Sequence, residues 1–250
     1  DFSKAFDCVK HDYLWLRVIE YGIHGKMLTM LKSMYSQLKA CVRKPKGLTN
    51  FFDCTIGTRQ GCMVSPLLFI FYINDFVKTL ECKGCYGVFV SPDCSNLMTL
   101  MYADDIVDIA DTVGRMQLHV NALEDFCNEW VMTASTKKTK VMVCRNGGPL
   151  RKNEKFYFKG ERLEVASYYK YLGLIVSTRL SWSTALKNQA SKAKRVIALF
   201  RQYEKRCGRL SYKVAFHIFD HMIVPILLNG SEVWGTQFIE AVEKIGRASC

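Results

Sequence analysis

Leu97-Met98-Thr99-Leu100-Met101-Tyr102-Ala103-Asp104-Asp105-Ile106-Val107-Asp108-Ile109-Ala110 is the stretch whose reading decides the fold. Two apolar, strand-like runs flank a two-residue acidic step, which predicts a tight β-hairpin with adjacent carboxylates at its tip. Nothing in a hairpin requires Asp-Asp. The turn favours Asn-Gly or Asp-Gly because it needs φ > 0, and neighbouring like charges repel. Two readings stand on this stretch alone. One is a solvated acidic turn; the other is a pair of hard oxygen ligands for a divalent cation such as Mg²⁺.

Composition narrows the setting. The chain has 250 residues, 49% of them hydrophobic, enough for one large domain or two small ones with a sizeable core. Its formal net charge of +12 suits polyanionic partners, nucleic acid or an anionic membrane surface. The longest apolar run, Met63 to Ile73, is too short to cross a bilayer and is broken by Ser65-Pro66. The 11 cysteines are odd in number and follow no framework spacing, so they read as reduced thiols without disulfide partners in the nucleus or cytoplasm. Cys82-x-x-Cys85 with Cys94 hints at zinc, but no second pair or histidine completes a tetrahedral site nearby.

Outward from the hairpin, periodicity predicts helices over Tyr13 to Tyr21 and Gly25 to Lys39, and a strand over Phe51 to Ile56. Ser65 reads as an N-cap and Pro66 as the first residue of a helix running to about Leu80. A strand near Tyr86 to Val90 precedes the hairpin, and an amphipathic helix carrying Met116, Val120, Leu123, Phe126, Cys127 and Trp130 follows it. Lys137-Lys138-Thr139-Lys140 leads into a strand at Val141 to Val143. Further strands are expected at Lys155 to Phe158, Arg162 to Val165 and Tyr168 to Val176. A long helix from Trp182 to Cys207 and a last one from Tyr212 to about Ile223, before Pro225, close the pattern. Mixed elements followed by helices predict an α+β fold: an antiparallel sheet covered by helices on one face, then a mostly helical part.

Several segments now combine. They are Asp1-Phe2-Ser3-Lys4-Ala5-Phe6-Asp7, the loop and helix start Arg59-Gln60-Gly61-Cys62-Met63-Val64-Ser65-Pro66-Leu67-Leu68-Phe69, Tyr102-Ala103-Asp104-Asp105, Lys138-Thr139-Lys140, and Tyr171-Leu172-Gly173. In this order and spacing they resemble the palm of a reverse transcriptase, in wording most similar to the non-LTR (LINE-type) retrotransposon class, over most of the chain. The resemblance implies a right-hand polymerase palm (motifs A to E) over residues 1–178, N-terminally truncated, and a helical thumb or connector over 179–244. Residues 245–250 resemble the translation of a sequencing adapter and are set aside.

The implied chemistry is RNA-directed DNA synthesis, with two Mg²⁺ ions (Mn²⁺ as a substitute) assisting nucleotidyl transfer to a primer 3′-hydroxyl. By resemblance Asp1, Asp104 and Asp105 hold metal, and Asp7 does not. Phe6 sits under the incoming sugar and favours dNTPs over rNTPs. Arg59, Gln60 and Gly61 form the loop beside the nucleotide or template. Lys138 protonates pyrophosphate or belongs to a solvated basic loop. Leu172 and Gly173 hold the primer end. Between Lys187 and Lys213 lie nine basic residues and one acidic residue, Glu204. Lys187, Lys192, Lys194, Arg195, Arg201, Lys205 and Arg206 on the long helix thus resemble a thumb surface that tracks template–primer phosphates.

His217 and His221 share a helix face but lack a zinc-protease glutamate and read as ordinary helix histidines. The implied partners are an RNA template, a DNA primer and dNTPs, with no membrane. Because the chain starts inside the first acidic motif, the expectation is weak or no polymerase activity from it alone. The rival readings are a catalytically inactive, basic nucleic-acid-binding remnant and a group II intron or telomerase-like polymerase.

Overall fold

The structure is a computed structural model that describes residues 2–145, 147–208 and 210–235. It divides into two compact units. The first comprises the described residues up to Lys140 together with Arg151–Glu164; the second comprises Val141–Leu150 and the described residues from Val165 onward.

Five helices build the first unit: α1 (His11–Glu20), α2 (Gly25–Tyr35), α3 (Ser65–Ile73), α4 (Phe76–Cys82) and α5 (Val113–Glu129). α1 buries Leu14 and Val18, and α2 buries Leu31 and Tyr35, each pair one helical turn apart. α5 starts at Thr112, whose hydroxyl accepts the Arg115 N–H at 3.2 Å as a side-chain N-cap. α3 is apolar nearly throughout and buries Leu68, Phe69, Tyr72 and Ile73. Its Tyr72 hydroxyl donates to the Trp130 carbonyl at 2.9 Å, and the Tyr72 and Trp130 rings meet edge to face at 5.1 Å. Phe126 stacks on Trp130 and meets Phe76 edge-on, so one aromatic cluster joins α3, α4 and α5.

The predicted helix from Ser65 to Leu80 is two helices. The break at Asn74-Asp75 has a charge at its centre. Asp75 is 5% exposed. Arg17 Nη1 lies 2.5 Å from its Oδ2 and Lys78 Nζ 3.0 Å from its Oδ1. Arg17 also pairs with Glu20 and spreads its guanidinium over the Trp130 ring at 4.4 Å. Ser65 is not the N-cap that the sequence suggested. It lies inside the first turn of α3, where its hydroxyl donates to the Arg59 carbonyl at 2.7 Å and meets Tyr35 Oη at 3.2 Å.

Strands pair two by two, and no ladder joins three strands among the described residues. Lys39–Ala40 pairs with Phe52–Asp53, a shorter strand than the predicted Phe51 to Ile56. Arg43–Lys44 pairs with Gly47–Leu48, and Tyr157–Phe158 with Glu161–Arg162. The predicted strand at Tyr86 to Val90 reduces to isolated bridges, Val88 to Leu97 and Ser91 to Cys94.

In the second unit the predicted strand Tyr168 to Val176 is a hairpin, Tyr168–Tyr171 against Leu174–Ser177. The long helix forms as α6 (Ser183–Cys207). The last helix does not stop before Pro225. α7 (Tyr212–Ile218) runs through a π-helical turn, Phe219–Ile223, into α8 (Val224–Leu227). Pro225 stands at the second residue of α8, directly after the π-helical turn, where the hydrogen-bond ladder changes from one register to the other. Ala193, Ile223 and Leu227 form the core of this unit, with Val196, Ile197, Phe219 and Ile226 against it. No helix among the described residues is long and apolar enough to cross a membrane.

The buried Asp75 carboxylate makes Arg17 a sensitive position. Arg17→Ala is expected to lower unfolding free energy by about 3 kcal/mol, because one partner of a buried pair is lost. Urea denaturation reads this directly, and adding Asp75→Asn to Arg17→Ala is expected to restore more than half of the loss.

Candidate active site

The acidic hairpin forms from Thr99–Tyr102 and Asp105–Asp108, antiparallel, in register from Thr99 opposite Asp108 to Tyr102 opposite Asp105. The two turn residues are therefore Ala103 and Asp104, and Asp105 opens the second strand rather than sharing the tip. Ala103 adopts φ 51°, a conformation that Gly, Asn or Asp takes more readily, so backbone strain sits immediately before the first carboxylate. Asp104 and Asp105 are half-buried. Neither carboxylate pairs with a described cation. Adjacent carboxylates without a counter-ion among the described residues, in a chain of net charge +12, are a donor set that fits a hard divalent cation. Asp1, the third expected ligand, lies outside the described residues. Among the described residues no three His, Cys, Asp or Glu side chains form a metal-sized cluster.

The segment after Asp1 is stitched to two others. Phe2 is buried and bridges Ala134, and the Ser3 N–H donates to the Thr133 carbonyl at 2.7 Å. Further along, the Gly57 N–H donates to the Val9 carbonyl at 2.8 Å, and the Thr58 N–H and hydroxyl both donate to the Phe6 carbonyl, at 2.7 and 3.2 Å. A Cβ on Gly57 would lie 3.0 Å from the Asp7 carbonyl oxygen, and φ there is +87°, so only glycine lets the two backbones approach this closely. Phe6 packs on Phe69 of α3, ring centroids 4.5 Å apart. Arg59, Gln60 and Gly61 are all exposed on the loop entering α3, with Gln60 Nε2 donating to Asp7 Oδ1 at 3.0 Å. The structure therefore brings Phe6, Arg59, Gln60 and Gly61 into one neighbourhood.

Lys138 is exposed in a tight turn whose Lys138 and Thr139 N–H groups donate to the Ser135 carbonyl, at 3.1 and 2.8 Å. Lys140 pairs with Glu164 at 2.9 Å, which separates it from Lys137 and Lys138. In the second unit Leu172 and Gly173 form the two-residue turn of the Tyr168–Ser177 hairpin, with φ 45° and 89°. Both positive values mark a type I′ turn, and Leu172 is 45% exposed at its tip. On α6 the buried stripe runs through Ala185, Leu186, Gln189 and Ala193. Lys187, Lys194, Arg195, Arg201, Lys205 and Arg206 are exposed, and Lys192 is half-buried with Nζ 3.1 Å from Gln189 Oε1. The one acid, Glu204, turns its carboxylate onto the Leu210 N–H at 3.3 Å. His221 Nδ1 contacts the His217 carbonyl at 3.0 Å, an ordinary helical arrangement.

Two features were not read from the sequence. One is the Asp7–Gln60 contact, whose only sequence signal is a second aspartate close to the first. The other is Cys62. Its thiol is held below the ordinary value, chiefly by hydrogen bonding from the Val64 backbone at the start of α3. Asp108 is a further exception within the hairpin. Its Oδ1 is buried without a hydrogen-bond partner. Burial pushes the carboxyl up to about 7, and the Thr99 hydroxyl across the ladder offsets part of that rise. The neighbouring Cys85 thiol is raised too, by burial first and then by the Asp108 charge.

Comparison with known proteins places this geometry in context. The family model described as "Reverse transcriptase (RNA-dependent DNA polymerase)" matches residues 1–176. A Drosophila melanogaster protein named "Probable RNA-directed DNA polymerase from transposon BS" is 24% identical over 249 residues, covering 94% of this chain and 26% of its own length. The 115 kDa protein of type-1 retrotransposable element R1DM, also from Drosophila melanogaster, is 23% identical over all of this chain and 23% of its own length. The Xenopus laevis "Transposon TX1 uncharacterized 149 kDa protein" is 28% identical over 71% of this chain and 13% of its own length. The chain thus spans about a quarter of the first two relatives.

Asp108 gives the hairpin a pH signature. Its folded-state value, about 7, lies above the ordinary 3.8, so the folded chain holds a proton that the unfolded chain releases. Its stabilising contribution is complete below pH ~4, is lost as pH rises from ~4 to ~7, and stays lost above that, a change of about 4 kcal/mol. Asp108→Leu is expected to be more stable than the parent at pH 8, with the gap closing towards pH 4. Urea denaturation across that range measures it; a gap independent of pH would contradict it.

Proposed function

The chain belongs to the reverse transcriptase (RNA-dependent DNA polymerase) family, and from that premise we propose that it is the polymerase core of a non-LTR retrotransposon, copying an RNA template into DNA. The observation that carries the reading is the hairpin that sets Asp104 beside Asp105 with no described cation to neutralise them. The packing of Phe6, Gln60 and Gly61 into one neighbourhood supports it. Residues 1–178 are the palm and 179–244 the thumb in this reading, which the long basic α6 supports.

Asp1, Asp104 and Asp105 are the residues that would hold two Mg²⁺ ions, with Mn²⁺ as a substitute. When bound, such a pair stabilises charge on the attacking and leaving oxygens of an in-line displacement. The side chains of this chain supply the rest. Phe6, backed by Phe69, presents a ring edge where a ribose 2′-hydroxyl would stand and so favours dNTPs. Arg59, Gln60 and Gly61 border the incoming nucleotide. Lys138 delivers a proton to the pyrophosphate oxygen as the bond to the α-phosphorus breaks. Leu172 and Gly173, on a rigid two-residue turn, support the primer end. Lys187, Lys192, Lys194, Arg195, Arg201, Lys205 and Arg206 bind template–primer phosphates, which gives affinity without sequence preference. The partners are an RNA template, a DNA primer and dNTPs, in the nucleus or cytoplasm.

Primer extension tests this. The parent chain, of which weak polymerase activity at most is expected, is expected to bind template–primer. Any extension of a DNA primer on an RNA template with dNTPs and Mg²⁺ is expected to fall at least about 10²-fold in Asp104→Asn, since lost charge stabilisation at a metal-assisted centre is worth several kcal/mol. Extension undiminished by Asp104→Asn, or a parent that neither extends nor binds template–primer, would overturn the reading.

A further inference from the structure

The hydrogen bond from Gln60 Nε2 to Asp7 Oδ1, 3.0 Å long, belongs to no step above. It joins the segment that follows the first acidic position to the loop that opens α3. An ionised carboxylate can only accept hydrogen bonds. The amide NH₂ of Gln60 must therefore face Asp7, and the amide oxygen must face away. While this bond between two exposed side chains is made, a carboxamide that could otherwise sit either way round holds one orientation.

The backbone on both sides of this bond is fixed independently. Gly57 packs against Asp7 itself, with its ideal Cβ position 3.1 Å from the Asp7 Cα. Thr58 closes on Phe6, and His11 Nε2 lies 2.8 Å from the Gly57 carbonyl. Lys10 bridges Ile56. Asp7 directly follows Phe6, whose ring rests on Phe69 at 4.5 Å. Consecutive residues of one short segment thus hold the ring at the sugar position and orient the glutamine of the nucleotide loop.

We propose that Asp7 is a positioning residue for nucleotide selection, fixing the Gln60 carboxamide so that its oxygen is presented as a hydrogen-bond acceptor to the incoming dNTP. The inference rests on the polymerase reading and adds to it a residue that touches neither metal nor substrate. Removing the Asp7 acceptor frees the amide to rotate, which weakens dNTP binding while leaving the acidic hairpin and the template–primer surface as they were.

The test uses the full chain on an RNA template with a 3′-deoxy-terminated DNA primer, so that dNTP affinity is read without turnover, together with the Gln60 side-chain NH₂ signals in ¹⁵N-labelled protein. Asp7→Ala is expected to move the Gln60 signals and weaken dNTP binding about 5- to 10-fold, within the range of an ordinary net hydrogen bond, as suits a solvent-exposed pair. Template–primer affinity is expected to hold within about twofold. Asp7→Asn, which can donate as well as accept and so permits both amide orientations, is expected to fall between Asp7→Ala and the parent in dNTP affinity. Asp7→Ala combined with Gln60→Ala is expected to be no weaker than Gln60→Ala alone, because both remove one device. Unmoved Gln60 signals, additive losses, or parent-like dNTP affinity in Asp7→Ala would overturn the inference alone. A parent chain that binds no dNTP would overturn the polymerase reading and this inference with it.

Discussion

The close approach of Gly57 to the backbone of Asp7 is the constraint on which the candidate site depends. A Cβ there would meet three Asp7 backbone atoms at 3.0 to 3.2 Å. With none present, the Val9 and Phe6 carbonyls receive the N–H groups of Gly57 and Thr58, and two segments some fifty residues apart in sequence become one surface. Phe6 then reaches Phe69 on α3, and Ser65 in the first turn of α3 ties the same loop back through the Arg59 carbonyl. Backbone hydrogen bonds, not side-chain packing alone, set the spacing between the ring at Phe6 and the amide at Gln60. Such bonds tolerate surface variation but not a change at the glycine.

The acidic hairpin carries an opposite kind of constraint. Its turn uses Ala103 at a positive φ, its carboxylates lie side by side, and its second strand ends in a half-buried aspartate whose Oδ1 is buried without a partner. Each of these costs stability. The proposed function accounts for the side-by-side carboxylates: a turn that bound a cation would need charged oxygen ligands more than easy geometry. Asp108 has no such account, since an apolar residue would serve the strand better. The positive charge of the chain is concentrated elsewhere, on the exposed sides of α6, where basic residues avoid the buried stripe and the single acid is turned onto a backbone N–H at the helix end. Attraction of such a face for a polyanion falls steeply with salt.

Where periodicity was strong, the sequence was legible. The long helix lies within a residue of its expected bounds, and the acidic hairpin forms where two strand-like runs flank the acidic step, its turn shifted by one residue to Ala103-Asp104. Where local chemistry was ambiguous, it was not. Tyr168 to Val176 read as one strand because Leu172-Gly173 lacks the Asn or Asp that usually announces a type I′ turn, and tertiary context holds a leucine at φ 45°. The helix from Ser65 is interrupted at Asn74-Asp75, where Asp75 is engaged by Arg17 and Lys78, a pairing no local pattern displays. The motif residues of the candidate site were named from their type and order in the sequence. The contact between Asp7 and Gln60 was not, since it joins side chains far apart in sequence. Strand pairing was the least legible feature: the covered sheet expected from the alternation is represented by two-stranded ladders and single bridges among the described residues.

The central claim is that Asp104 and Asp105 form a divalent-cation site at the heart of a polymerase. Titration of the chain with Mn²⁺, followed by electron paramagnetic resonance in the presence of template–primer and dNTP, tests it most directly. The account predicts saturable Mn²⁺ binding that Mg²⁺ displaces and that Asp104→Asn and Asp105→Asn each weaken at least about tenfold, as expected when one charged oxygen ligand is lost. Mn²⁺ binding of equal strength in the parent and both variants, or none in any of them, would contradict it.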